Sequence, residues 1–245
     1  MYQSFPRYLW VTAALVLGQG ALTAQAPTSR VRVWSVSIAE SFGFGGASRG
    51  VTTAMQSGGF DDRSPNFFGA AGRDSPYTLS DGPPTILVMI RRRMGRITHI
   101  RAVMGRTRLG ETTGWKAGPG FGDHISLRQS VNSYAIMAEV NTEADGGVWA
   151  AVGPALHHVA LEHTEFPGGP AVTATRLGAI LATGVVLPAR RRFFFELQGQ
   201  YRLVGTVEMG PIDVARSTGG LAGTLPRTGV NFGHAMFSLG LGVRF

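Results

Sequence analysis

The 245-residue sequence contains no cysteine. Without thiols, the chain can form neither a disulfide framework nor a thiolate site for metal binding or nucleophilic catalysis. Charged residues are also scarce, at 16% of the chain, whereas soluble domains contain roughly a quarter. Such a low charge suits a protein whose outer surface is largely in contact with lipid. At this length, a single domain is the natural expectation.

Apolar runs long enough to cross a membrane as a helix are absent too. The run from Leu9 to Leu17 follows the basic Arg7 and precedes the small-x-small site Ala24-Gln25-Ala26, but a spanning helix needs about 20 residues. This pattern predicts a secretory signal peptide over residues 1–26, cleaved on export to leave residues 27–245. Any membrane residence of the mature chain would therefore be as a β-barrel. The mean hydropathy of +0.08 is compatible with a β-barrel, because apolar and polar residues alternate along barrel strands and their average is low.

The clearest pattern lies in the last seventeen residues, 229–245. Successive side chains on a strand point to opposite faces. One face of this strand is apolar and includes Ala235, Phe237, Leu239, Leu241, Val243 and Phe245. The opposite face is small or polar and includes His234, Met236, Ser238, Gly240, Gly242 and Arg244. An apolar face that continues to the last residue suits a barrel strand whose outside meets lipid.

This ending resembles the closing strand of the small outer-membrane β-barrel proteins of Gram-negative bacteria, which ends in an aromatic residue. In size and loop pattern the chain is similar to the OmpX, OmpA-barrel and OmpW type. The resemblance implies that the barrel-assembly machinery reads the closing strand during biogenesis. The residues implied in that role are Phe237, Leu239, Leu241, Val243 and Phe245.

Alternating segments predict eight strands in the mature chain. They cover about 31–42, 85–92, 96–109, 124–140, 148–161, 175–187, 193–207 and 229–245. Short turns follow the second, fourth and sixth strands, and long loops follow the others, beginning with residues 43–83. The predicted fold is all-β: an eight-stranded antiparallel up-and-down transmembrane β-barrel with short periplasmic turns and long external loops. A soluble calyx would also alternate, but with its apolar face inside.

The seventh strand indicates which face is inside. Its apolar residues alternate with Glu196, Gln198, Gln200 and Arg202, which we predict to be the polar residues of the barrel interior. In the first strand we expect Glu40 to point inward as well. Trp34 and Trp149 are candidates for aromatic girdles at the lipid interfaces. Because side chains fill the lumen of an eight-stranded barrel, a wide diffusion pore is not expected.

One motif could carry chemistry. Lipid A deacylases, which are barrels of this class, use a His-x-Ser pair with a carboxylate, and this chain offers His124-Ile125-Ser126. Residues two apart share a strand face, so the imidazole could act as base towards the hydroxyl. Glu139 has the wrong parity for that face, which leaves Glu111 or Glu162 as carboxylate partners. The alternative, which we favour, is that His124 and Ser126 are polar rim residues, so no catalytic residue is assigned.

No metal or cofactor site is predicted. His157 and His158 are adjacent and should point to opposite faces, so the cluster that they form with Glu162 and His163 does not suit one ion. The glycine-rich stretch 43–50 lacks the lysine and the strand-to-helix setting of a phosphate loop.

Arginines gather at two predicted periplasmic turns, at residues 91–96 and 190–192. Arg92, Arg93, Arg191 and Arg192 either contact anionic lipid headgroups or belong to solvated turns. The formal net charge of +8 could also favour nucleic acid, but an export signal makes that partner unexpected.

The predicted location is the cell outer membrane, with outer-membrane lipids and lipopolysaccharide as partners and a monomer as the expected state. The leading function is a non-enzymatic structural or surface-interaction role, with the long loop 43–83 as the contact surface. The alternatives are a lipid A-modifying enzyme and a narrow conduit for small apolar solutes.

Overall fold

A computed structural model describes residues 33–45, 47–60, 85–116, 123–143, 146–164, 170–188, 191–215 and 221–245. Twelve strands and one helix occur in these ranges. They are β1 (Trp34–Gly45), α1 (Ala47–Ser57), β2 (Thr85–Arg93), β3 (Thr98–Lys116), β4 (Asp123–Glu143), β5 (Gly146–His163), β6 (Pro170–Leu187), β7 (Phe193–Leu203), β8 (Thr206–Met209), β9 (Ile212–Ala215), β10 (Leu221–Leu225), β11 (Thr228–Asn231) and β12 (His234–Arg244). The predicted signal peptide lies outside the described residues.

Eight of the strands close into an antiparallel barrel in the order β1, β12, β7, β6, β5, β4, β3, β2. The two ends of the barrel sequence meet where β1 pairs with β12 in continuous register, from Ser35 opposite Arg244 to Gly45 opposite His234. The backbone N–H of Trp34 donates to the carbonyl of Phe245 at 3.1 Å. The predicted eight-stranded fold is confirmed.

The outer surface of this barrel is an apolar belt. Large apolar side chains at alternating positions are exposed on all eight strands. They include Ile38, Phe42, Ile86, Ile90, Ile100, Met104, Tyr134, Ile136, Val140, Val148, Val152, Leu156, Leu177, Leu181, Leu187, Phe193, Leu197, Tyr201, Leu203, Phe237, Leu239, Leu241 and Phe245. A soluble calyx has the opposite arrangement. The belt therefore faces lipid, and the barrel spans a membrane.

Strands β3 to β6 are longer than predicted, at 18 to 21 residues. The third predicted strand ended at residue 109, whereas Gly110 and Gly114 both lie within β3. Gly110 adopts a φ of 139° at a register shift against β4, and a Cβ on Gly114 would lie 3.0 Å from Met55 Sδ and from Phe60 Cβ. These glycines permit a bulge and a close contact rather than a turn.

The prediction of one unstructured loop over residues 43–83 is wrong at its start, where α1 forms. Ala47, Val51 and Met55 are spaced four residues apart and are all buried, so they form one apolar helical face. The helix ends at Ser57 and is capped by Gly59, which has a φ of 81°. The N–H of Phe60 donates to the carbonyl of Met55 at 2.9 Å, as in a Schellman motif. No helix in the described ranges is long and apolar enough to cross a membrane. Residues 61–84 lie outside the described residues.

The seventh predicted strand also ends earlier, at Leu203. Gly205, with a φ of 78°, breaks the alternation, so Val207 is buried rather than exposed as the pattern predicted. The chain then forms two small antiparallel sheets, β8 with β11 and β9 with β10.

These elements and the outer parts of the long strands enclose an apolar core, which we call the external lobe core. It contains Ala47, Val51, Met55, Phe60, Leu109, Ile125, Leu127, Val131, Val159, Leu161, Val204, Val207, Met209, Ile212, Leu225, Val230 and Phe232. The long strands therefore continue beyond the belt because their inward side chains still have apolar partners.

Glu40 does not point inward as predicted but lies exposed on the outer face. Because β1 pairs with β12 without a bulge, Glu40 keeps the outward parity of Ile38 and Phe42. Across the strand it lies opposite Leu239 and Ile86. All four neighbours are large exposed apolar side chains, so this carboxylate lies within the belt.

Replacing Glu40 with leucine should stabilise the barrel by about 1–2 kcal/mol, because a lipid-facing charge opposes insertion. Reversible denaturant unfolding in phospholipid vesicles measures this change. Glu143→Leu is the control, since Glu143 is exposed at the last position of β4, outside the belt. A Glu40→Leu barrel no more stable than the wild type would contradict the placement.

Candidate functional site

The barrel interior contains a buried ion network centred on Arg101. The Arg101 guanidinium donates to Glu139 at 2.5 Å and to Glu196 at 2.6 Å. Glu139 also accepts a hydrogen bond from Arg91 at 3.0 Å, and Glu196 accepts one from Ser37 at 3.1 Å. These side chains are almost completely inaccessible, and together they connect β1, β2, β3, β4 and β7 across the lumen.

Two sequence predictions are corrected by this network. Arg91 was grouped with the arginines of a periplasmic turn, but its odd position on β2 points it inward, where it donates to Ser35 at 3.2 Å. Trp149 was a candidate for a lipid girdle, but it is buried, and its ring lies 3.9 Å from the Arg101 guanidinium carbon. Trp149 points inward because the even-numbered residues of β5, such as Val148 and Val152, lie on the outward face.

The predicted interior position of Glu196, Gln198, Gln200 and Arg202 is confirmed, because all four are buried. The two charged members do not form an ion pair with each other. Arg202 instead donates to neutral oxygens, at 3.0 Å to Thr107 and 2.9 Å to Ser133. The predicted set of interior residues did not include Arg91, Arg101 and Glu139. The alternation of inward and outward positions on their own strands would have identified all three as interior residues.

Within the described residues, buried side chains occupy two parts of the lumen. The ion network and apolar side chains such as Met89 and Phe194 fill one part, and the external lobe core fills the part towards the loops. No observation among the described residues favours the narrow-conduit alternative, which stays untested.

Ser126 has a carboxylate partner on the external part of the barrel. Its hydroxyl donates to Glu111 Oε1 at 2.7 Å, so of the two predicted carboxylates Glu111 is the one that contacts it. Burial pushes the pKa of Glu111 upward, but hydrogen bonds from Ser126 and Thr164 and the charge of Arg128 outweigh it and hold this pKa below its ordinary value of 4.5. The His124 side chain lies outside the described residues.

Ser126 is far from the lipid belt. Tyr134 is the outermost exposed apolar residue of β4, and Ser126 lies eight positions further along the strand, or roughly 26 Å at about 3.3 Å per residue. A hydroxyl at that distance is poorly placed for the ester bonds of a membrane lipid. The geometry therefore supports polar rim residues better than a lipid A hydrolase.

The histidine pair behaves as its spacing predicted. His157 is buried and shares a hydrogen bond with the Ser133 hydroxyl at 2.8 Å, whereas His158 faces outward and contacts the Thr175 hydroxyl at 3.1 Å. Opposite faces exclude a shared ion. No cluster of three metal-ligating side chains occurs among the described residues.

The predicted headgroup arginines lie at the turn end of the barrel. The Arg92 guanidinium carbon lies 5.2 Å from the centre of the Trp34 ring, and that of Arg192 lies 5.9 Å from Phe193. Arg191 is exposed and Arg93 half-buried. Cations above exposed aromatic rings are compatible with a lipid interface, and headgroup contact stays a prediction.

The closing strand points its apolar face to lipid as predicted. Phe237, Leu239, Leu241 and Phe245 are exposed, and Val243 is half-buried. Their role as an assembly signal stays a prediction.

Beyond the belt, the outer face changes abruptly from apolar to polar. Four exposed apolar residues lie side by side across β3 to β6: Met104, Tyr134, Leu156 and Leu177. Two positions further towards the loops, the paired residues are Arg106, Asn132, His158 and Thr175. Arg106 spans part of this polar rim, donating to Ser130 at 3.2 Å and to Glu162 at 2.8 Å.

Comparison with known proteins finds similarity in fold only. No family model matches the chain, and no curated protein matches it. Solved structures that are similar include Ail of Yersinia pestis in complex with the heparin analogue sucrose octasulfate, with 10% identity, a TM-score of 0.41 and coverage of 87% of this chain and 97% of Ail. Neisserial surface protein A shares 12% identity, with a TM-score of 0.42 and coverage of 88% and 98%. OprG from Pseudomonas aeruginosa shares 11% identity, with a TM-score of 0.44 and coverage of 88% and 97%.

Replacing Glu139 with glutamine should destabilise the barrel by about 3–5 kcal/mol, because two buried arginines lose a charged partner. Denaturant unfolding in vesicles measures the loss. The matched control is Glu162→Gln, which breaks a half-exposed pair and should change stability by less than about 1 kcal/mol. Equal effects of the two substitutions would contradict the role of the network.

Replacing Ser126 with alanine should raise the pKa of Glu111, because the carboxylate loses a donor. Since this pKa is lowered in the folded protein, the stabilisation from its contacts is present above the ordinary pKa of 4.5 and disappears as the pH falls through the folded value. Carboxyl-carbon NMR titration of the refolded barrel measures the pKa. Ser130→Ala should leave it unchanged, and an unchanged value in Ser126→Ala would contradict the contact.

Proposed function

We propose that this protein, an eight-stranded β-barrel of the cell outer membrane, is a non-enzymatic surface-interaction protein that binds a partner through its external lobe. The observation that carries the proposal is a strand edge on β6 that has no strand partner among the described residues. Buried side chains occupy two parts of the described lumen, so we place partner binding on the exposed surfaces of the lobe.

Within the ranges that the structure describes, the outer half of β6 pairs with one neighbour. On one side it pairs with β5 as far as Pro170, which lies opposite Glu162. On the other side, its pairing with β7 begins only at Ala179, opposite Leu203. Among the described residues, the edge over 170–178 therefore has no strand partner.

Exposed side chains accompany this edge. Thr173, Thr175 and Arg176 are exposed, and Leu177 is the most exposed large apolar residue described, at 83%. An unpaired edge offers backbone donors and acceptors to an extended segment, which can add to the sheet as a further strand. We infer that the partner contributes an extended peptide segment.

The lobe holds the edge in a fixed conformation. The external lobe core packs α1 and β8 to β11 against the inner face of the long strands, so binding does not need to order the edge first. Preorganisation of this kind lowers the entropic cost of association. Helix α1 lies within the segment 43–83 that was predicted as the contact surface, and its apolar face packs into the external lobe core.

Selection of peptides from a random displayed library tests this proposal. The target is the purified barrel in lipid nanodiscs. A companion target carries proline at those positions of 172–176 whose N–H points away from β5, because proline there removes donors of the free edge and leaves the β5 ladder intact. Peptides enriched on the wild type should bind the proline variants at least tenfold more weakly.

Two results would contradict the proposal. One is the absence of any enriched peptide, and the other is equal binding to the wild type and the proline variants. Each variant should migrate faster on a gel before boiling than after boiling, which establishes that it still forms a closed barrel.

A further inference from the structure

One buried cation of the lumen, Arg202, has no carboxylate partner among the described residues. The ion network pairs its two arginines with two carboxylates. Arg202 is buried as completely, but the side chains that it contacts are the neutral Thr107, Ser133 and Gln200. Arginine keeps its proton in proteins, and an uncompensated charge in an interior is strongly destabilising. The layer around Arg202 therefore favours a negative charge.

The Arg202 guanidinium presents the edge that most readily binds an anion. Its Nη1 is used by Thr107 and Ser133. Its Nε and Nη2 share the edge that anions bind side-on. On this edge, Nη2 donates to Gln200 Oε1 at 3.4 Å, and Nε has no partner among the described residues. The Gln200 amide nitrogen, which is also buried, has none either, so two donors without acceptors lie on contacting side chains.

His157 supplies a third such donor. The Ser133 hydroxyl accepts from Arg202 and shares a hydrogen bond with His157 Nδ1 at 2.8 Å. Among the described residues, Nδ1 is the acceptor within reach of the hydroxyl proton, so the imidazole proton lies on Nε2. This buried N–H has no described partner. A Cβ at Gly178 would lie 3.1 Å from Nε2, so the glycine leaves space beside the donor.

His234 lies opposite Arg202 across β7 and β12. Its Nδ1 donates to the Phe232 carbonyl at 2.9 Å, so Nε2 of the neutral ring is an acceptor. A bound water could bridge this acceptor and one of the donors. Water alone would leave the charge of Arg202 uncompensated.

The layer adjoins solvent at Arg176. This residue lies opposite the buried His157 and has the inward parity of β6. It is nevertheless exposed, because the pairing of β6 with β7 begins only at Ala179. An exposed cation at the external end raises the local concentration of anions beside the lumen.

We propose that the lumen binds one small monovalent anion, such as chloride, between Arg202, His157 and Gln200. A single negative charge balances Arg202, and a halide accepts from several N–H donors at once. A divalent anion would reverse the imbalance. The site lies inside the barrel and is independent of the partner strand proposed at the edge of β6.

Urea unfolding of the refolded barrel in phospholipid vesicles tests this proposal, with sodium bromide compared with sodium gluconate at equal concentration. Bromide is a chloride analogue, whereas gluconate is too large for a buried site. An ion that binds only the folded barrel lowers the unfolding equilibrium constant, by about tenfold when its concentration is roughly ten times the Kd. We expect such a reduction for the wild type, and equal constants in the two salts would overturn the proposal.

Gln200→Glu should remove the bromide effect, because a carboxylate in contact with Arg202 compensates the charge from within the chain. The matched control is Gln198→Glu on the same face of β7, where Gln198 contacts Met89 beside the balanced ion network. A second control is Arg92→Gln, which removes an exposed charge at the turn end. Both controls should retain the bromide effect, and an undiminished effect in Gln200→Glu would overturn the site.

Anomalous diffraction from wild-type crystals grown in sodium bromide locates the ion without any variant. We expect an anomalous peak within hydrogen-bond reach of Arg202 Nε and His157 Nε2. Absence of a peak there would overturn the proposal.

Discussion

The pairing of buried charges inside the lumen is the interaction on which the structure depends. A closed barrel in lipid directs its polar face inward, and an unpaired charge there is strongly destabilising. Arg101 resolves this by contacting two carboxylates, Glu139 on the neighbouring strand β4 and Glu196 on β7 across the ring. This pairing fixes the register of the strands, because a shift of one residue would direct the charged groups into lipid.

Buried side chains occupy much of the described lumen, which is why we place the proposed function on the outside of the molecule. The ion network occupies one part of the interior and the external lobe core occupies the other. Extension of β3 to β6 beyond the belt leaves the outer half of β6 without a second strand partner among the described residues. It also places a polar rim that includes Arg106 above the apolar belt.

Period-two alternation explains what could be predicted from sequence. It identified the eight strands and the inward side chains of β7, because lipid outside and charge pairing inside both enforce parity. It failed at Gly110 and Gly114, which lie in a bulge and in a close contact with α1. Glycine is also common in turns, so its presence alone did not distinguish these cases. It also failed at Glu40, since polarity suggested an inward side chain while uninterrupted pairing fixed the outward one. Helix α1 and the Ser126–Glu111 contact depend on tertiary neighbours that alternation does not encode.

The edge at which we place a partner strand begins where the lipid belt ends. Leu177 lies within the stretch 170–178, which has no strand partner among the described residues, and its exposed side chain belongs to the outermost apolar row of the belt. Further towards the loops, the exposed residues on the same face of β6 are Thr175 and Thr173. A partner strand added to this edge would therefore run along the polar part of β6 and end at the boundary of the belt. Its side chains would have to follow the same change from polar to apolar, because they would continue the outer face of the sheet.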